Sequence, residues 1–213
     1  KLINSKNNIF KRERYEILFI YIILTIFFII PNSKSERIRN LNGVYEIAIL
    51  LEGNIQCIYN NDKPDEMIID GVRKEVDILS VNQLDISKKY ITVIWHTQPS
   101  CSKLFKNCFN FLSIDLSNFD SSGITDMSEM FSGCQHLKSI NFKNFETSSV
   151  ITMEKMFFNC VNLKFLDLSN FITNSLTNME DMFNNDISLV SVDFSKFDTS
   201  LVTNMKSTFS NCQ

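Results

Sequence analysis

The chain has 213 residues, 44% of them hydrophobic, and a formal net charge of −3. That length suits one or two domains with a real core, and the near-even charge leaves no broad basic footprint, which argues against nucleic acid as a partner. The hydrophobic share also excludes a disordered chain.

Taken in chain order, the first feature is an apolar run. Residues 17 to 30 read ILFIYIILTIFFII and end at Pro31. As a helix the run would be about 21 Å long, short of the roughly 30 Å hydrocarbon core of a bilayer. Lys1, Lys6, Lys11, Arg12 and Arg14 precede it, whereas Lys34, Arg37 and Arg39 come after it. That asymmetry keeps the N-terminus cytoplasmic and exports the bulk of the chain. Residues 1–31 are therefore expected to be a signal peptide or a signal-anchor transmembrane segment, a hydrophobic helix in either case. Left uncleaved, residues 17–30 would hold the chain in the membrane with the remainder outside; cleaved, the chain would be secreted. Residues 32–41 read as a polar linker. The chain opens on Lys1 and its end, Phe209-Ser210-Asn211-Cys212-Gln213, stops inside a repeating pattern, so it reads as a fragment of a longer protein.

Residues 42–100 do not repeat. The segments 44–51, 54–59 and 90–95 are rich in β-branched and aromatic residues and read as strands. Residues 67–72 read as a hairpin turning at Asp70-Gly71. The region is expected to form a β-rich N-terminal cap on residues 101–213, with an independent ligand-binding domain as the alternative.

From residue 101 a 26-residue period begins and admits no insertion. Phe105, Phe131, Phe157, Phe183 and Phe209 are each 26 apart, as are Phe119, Phe145, Phe171 and Phe197. Met127, Met153, Met179 and Met205 keep the same spacing. Within a unit, Leu163-Lys164-Phe165-Leu166-Asp167-Leu168 reads L-x-x-L-x-L, a short strand whose apolar residues alternate inward over its last three positions. A polar loop comes next, and then the column Asp126, Thr152, Asn178 and Asn204, all good N-cap residues. Apolar residues at i, i+3 and i+4 behind each cap, as in Met127, Met130 and Phe131, suggest one or two helical turns. The expected fold class is α/β: a leucine-rich-repeat-like solenoid over 101–213, with one short strand and one short helix per coil.

The unit resembles those of the BspA-like leucine-rich-repeat surface proteins, in the branch written L-x-x-L-D-L-S-N-F-D-T-S-x-V-T-N-M. This chain has Leu163 to Phe171 and Asp198 to Met205 in that pattern, and the resemblance covers about 101–213. It implies a surface-exposed or secreted protein of adhesion or recognition. It carries over no catalytic residues.

Cys108, Cys134, Cys160 and Cys212 form one column at 26-residue multiples, interrupted by Asp186. C-x2-C pairs of the metal-binding kind are absent, so the column reads as buried thiols. Cys57 and Cys101 lie outside it, and a bridge between them suits an exported protein. His96 and His136, the two histidines, stand outside any recognisable catalytic grouping. No phosphate-binding loop, nucleophile motif or metalloprotease motif occurs. No catalytic, cofactor or metal role is therefore expected. The remaining candidate is a binding surface on the outward strand positions. Its members are Asp115, Asn141, Asp167 and Asp193 as one column, Lys138 and Lys164 beside it, and Phe165 as the large aromatic anchor. The alternatives are a solvated sheet edge for the acidic column and a ring lying flat on the sheet for Phe165. The expected partners are proteins. The competing reading is a recognition arm for a membrane-tethered enzyme or sensor whose effector domain lies elsewhere.

Overall fold

The computed structural model describes residues 45–52, 63–74 and 89–212. The chain divides into two units, Lys1–Ile38 and Arg39–Gln213, and every described residue falls in the second. The hydrophobic helix expected over 17–30, the linker over 32–41 and the strand at 54–59 lie outside the described residues. Among the described residues no helix is long and apolar enough to cross a membrane. The expected transmembrane helix is thus without support there.

Among the described residues eight strands form: β1 (Tyr45–Leu51), β2 (Glu66–Ile69), β3 (Val72–Lys74), β4 (Lys89–Trp95), β5 (Phe111–Asp115), β6 (Ser139–Asn141), β7 (Phe165–Asp167) and β8 (Ser191–Asp193). β1 and β4 pair antiparallel, Tyr45 opposite Trp95. Their alternate residues Ile47, Ile49, Leu51, Ile91, Val93 and Trp95 are buried on one face, the period-two signature of a half-buried sheet. β2 and β3 close a hairpin at Asp70 and Gly71, with φ of 49° and 79°. Two successive positive φ values define the mirror-image turn that matches strand twist.

The α/β leucine-rich-repeat solenoid expected from the spacing is not what forms. No helix occurs among the described residues, and the strands make two sheets. One is mixed and six-stranded, in the order β3-β2-β4-β1-β5-β6; the other holds only β7 and β8. β1 runs antiparallel to β5, so the strands expected as a separate cap share a sheet with the first repeat strand.

Why no helix forms is legible in the backbone. Behind Asp126, the N–H groups of Met127, Glu129, Phe131 and Gly133 donate to the carbonyls of Thr152, Glu154, Met156 and Phe158 at 2.8–3.1 Å. These bonds join consecutive 26-residue layers, where a helix would bond each N–H four residues back within its own layer. Glu129 and Gly133 take φ of 55° and 77°, and the positions 26 residues on, Lys155 and Asn159, repeat this at 54° and 61°. The spacing between layers decides the matter. Phe131, Phe157, Phe183 and Phe209 stack face to face with centroids 5.4–5.5 Å apart. A helix is about 10 Å wide, so helices cannot be stacked at that interval, whereas flat turns can. The residues expected as N-caps serve the turns instead. Oδ1 of Asp126 and Asn178 accept the N–H two residues on at 2.8 and 3.0 Å. Asp126, Thr152, Asn178 and Asn204 also pair with one another as single parallel bridges.

Four ladders fill the interior. The two phenylalanine columns and the methionine column are buried through the middle layers, with Phe131, Phe157, Phe171, Phe183, Met127 and Met153 fully covered. A hydroxyl column runs beside them. Thr147 Oγ1 donates to Ile172 O (3.0 Å) and accepts from Ile172 N–H (2.8 Å). Thr173 does the same with Asp198, at 2.9 and 2.7 Å. Ser121, Thr147 and Thr173 are all buried, and each satisfies backbone groups that would otherwise be orphaned.

Candidate functional site

The outward positions of β5 to β8 hold the residues expected to bind a partner. Asp115, Asn141, Asp167 and Asp193 are all exposed. In-register parallel pairing sets Asp115 opposite Asn141 on β5 and β6, and Asp167 opposite Asp193 on β7 and β8. Asn141 Nδ2 donates to Asp115 Oδ1 at 3.0 Å. The column therefore forms as two pairs, one in each sheet.

Each member also has a local task. The Oδ1 atoms of Asp115, Asn141, Asp167 and Asp193 accept the N–H groups of Ser117, Lys143, Ser169 and Ser195 at 2.8–3.1 Å. These are side-chain turns that end each strand. The hydroxyl of Ser169, and then its N–H, hold the Asp167 carboxyl below the usual carboxylate range. At each of the four positions a side-chain oxygen is thus committed to the fold. Asparagine performs the turn equally well, which explains why Asn141 can interrupt the acid series.

Lys138 and Lys164 are exposed and belong to one backbone column. Lys138 N–H donates to Leu112 O (2.9 Å), and Val190 N–H donates to Lys164 O (2.8 Å). Leu112, Lys138, Lys164 and Val190 thus succeed one another at 26-residue steps. Phe165 is 65% exposed and Val190 69% exposed. Phe165 pairs with Ser191, and Val190 precedes Ser191 in the chain. Val190 was missed by sequence reasoning, because its column holds lysines in two of the earlier layers. The available signal was the break from Lys138 and Lys164 to valine.

The cysteine column differs from the expectation in its first member. Cys108 is disulfide-bonded, so the buried thiols begin at Cys134. Cys57 lies outside the described residues. Burial pushes the Cys134 thiol up to about 12. Burial, then Cys134 and Asp186, raise Cys160 well above its ordinary value. Sγ of Cys134, Cys160 and Cys212 each sit 3.1–3.2 Å from the carbonyl of Phe105, Phe131 and Phe183, to which they donate. Thiols so protonated and so engaged are poor nucleophiles. Asp186 takes the place of a thiol in this column. It is fully buried, its Oδ1 accepts Cys160 N–H at 2.7 Å, and its Oδ2 meets no partner.

His96 is exposed at the end of β4, its Nδ1 3.7 Å from Asp65 Oδ2 and its Nε2 3.4 Å from Glu66 Oε1. His136 is also exposed. Among the described residues no group of three or more histidine, cysteine or acidic side chains is placed to hold a metal ion.

A family model described as Mycoplasma protein of unknown function, DUF285, matches residues 99–213. No curated protein matches, and no solved structure does.

Proposed function

From the premise that the chain belongs to the DUF285 family, we propose that it is a non-enzymatic surface or secreted protein that binds protein ligands through the outward face of β5 to β8. One observation carries this reading. Phe165 at the start of β7 and Val190 immediately before β8 are each about two-thirds exposed, among Ser, Asp, Asn and Lys residues. Large apolar side chains exposed within a polar rim are the usual makeup of a binding hot spot. Lys138 and Lys164 supply cations, and Asp167 and Asp193 supply acids. The resemblance of the repeat to BspA-like surface proteins supports the same role.

The test is retention of labelled surface proteins from cell extracts by the immobilised chain. Phe165→Ala combined with Val190→Ala is expected to cut retention about tenfold, equivalent to about 1.4 kcal/mol. Both side chains face solvent, so the melting temperature should stay near that of the parent. Unchanged retention by the folded double variant would rule this face out.

The location is proposed to be outside the cell. The positive-inside asymmetry around residues 17–30 supports export, and so does the disulfide at Cys108, since such bonds persist in oxidising compartments. An epitope tag placed after Gln213 is expected to be reached by protease added to intact cells, or to be found in the medium. A tag that is cut only after permeabilisation would overturn export.

A further inference from the structure

The cysteine column repeats one pair of hydrogen bonds from layer to layer. The thiols of Cys134, Cys160 and Cys212 donate to the carbonyls of Phe105, Phe131 and Phe183, each 29 residues back, at 3.1–3.2 Å. The same sulfurs accept the backbone N–H of Cys108, Cys134 and Asp186, each 26 residues back. Those N–H groups are shared with the phenylalanine carbonyls, at 3.0–3.2 Å. Each of the three carbonyls therefore takes two donors, one from the backbone and one from a thiol.

Asp186 occupies the remaining place in this column. Its Oδ1 accepts the N–H of Cys160, 26 residues back, at 2.7 Å, as each thiol does for its own layer. The carbonyl 29 residues back is that of Phe157, which holds the Cys160 N–H at 3.0 Å. Among the described residues it receives no second donor, and Asp186 Oδ2, fully buried, meets no partner either. An ionised carboxylate has only lone pairs to offer and would set negative charge against that carbonyl, whereas a neutral carboxylic acid has one O–H to donate. The titratable groups facing Asp186 are the thiols of Cys160 one layer before and Cys212 one layer after. No cation among the described residues stands close enough to favour its charged form.

We propose that Asp186 is a pH-operated latch between the layers of Phe157 and Phe183, held as the neutral acid with Oδ1 accepting Cys160 N–H and the Oδ2 hydroxyl donating to Phe157 O. The two oxygens divide between them what a single sulfur does in the other layers. When the proton leaves for solvent, the donor is lost and a lone pair faces the Phe157 carbonyl, so this junction loosens before the others. Burial raises the carboxyl to about 8. The latch is therefore closed at neutral pH and opens as pH climbs through that value. It lies in the interior, away from the outward face of β5 to β8, so either proposal can fail without the other.

Two measurements on the full chain test the latch. At about pH 6, where solvated carboxylates are ionised, the infrared spectrum is expected to show a carboxylic-acid carbonyl band that Asp186→Asn removes. The asparagine amide keeps an acceptor for Cys160 N–H and a donor for Phe157 O without titrating. Hydrogen exchange, corrected for its intrinsic rise with pH, then reads the junction. Phe157 and Asn159 donate N–H across it to Met182 and Asn184 at 2.9 Å. From about pH 6 to about pH 9 their protection in the parent is expected to fall about tenfold, while Phe131 and Gly133 one layer earlier keep theirs. Asp186→Asn should hold protection at all four. Should that variant fail to fold, Asp186→Cys takes its place, because a thiol makes both bonds in the other layers. Absence of the acid band would overturn the proposal, as would an equal loss at all four amides or the same loss at Phe157 and Asn159 in the variant.

Discussion

Phe157→Ala is expected to lower the melting temperature by roughly 10 °C or more, from a loss of about 3–5 kcal/mol. The ring is fully buried and lies between Phe131 at 5.5 Å and Phe183 at 5.4 Å, with interplanar angles of 7° and 8°. Phe142 meets it edge-on at 6.3 Å. Removing it opens a cavity that neighbouring layers cannot close, because each layer is held at fixed spacing by backbone bonds on both sides. The cost therefore includes the cavity as well as the lost transfer energy. Phe209→Ala is the control from the same column. Half exposed and stacked on one side only, it should cost about 1 kcal/mol. Thermal melts of both variants decide the point. Similar losses at the two positions would mean that the column does not act as a continuous packed stack.

The second large effect belongs to Asp186. Burial pushes its carboxyl up to about 8, against roughly 4 in an unfolded chain. Between those values the folded state binds the extra proton, so stability falls as pH rises. The contribution is whole below about pH 4 and is lost by the time pH passes about 8. Four pH units amount to on the order of 5 kcal/mol, a ceiling that any local rearrangement or hydration would lower. The groups around the carboxyl are Cys160 and Cys212, which share its column. Asp186→Cys restores the residue found at positions 134 and 160 and removes the titration. It is expected to melt near the parent at pH 4 and well above it at pH 8, by several degrees. Chemical denaturation across that range gives the same comparison as free energies. A parent whose stability is flat from pH 5 to 8, or a variant that gains nothing at pH 8, would show that Asp186 is not a buried acid.

How much of this could be read from residues alone depends on the kind of interaction. The 26-residue period determined which side chains meet. It places Phe131, Phe157 and Phe183 in one column, and the structure stacks them. Asp70-Gly71 determined a tight turn, since two positive φ values in succession favour that pair. The exposure of Phe165 and Asp167 came from strand alternation. Periodicity of 3 and 4 behind Asp126 was ambiguous, because apolar residues so spaced lie on one side of a flat turn as well as on one side of a helix. Only the distance between layers, about half a helix width, decided for turns, and no residue of a single unit encodes that distance. Tertiary structure likewise divided the short strands between two sheets and turned the Asp115 to Asp193 column into strand terminators. It also joined Cys108 in a disulfide and left Val190 exposed. Each of these depends on which layer lies next to which, a property of the stack as a whole.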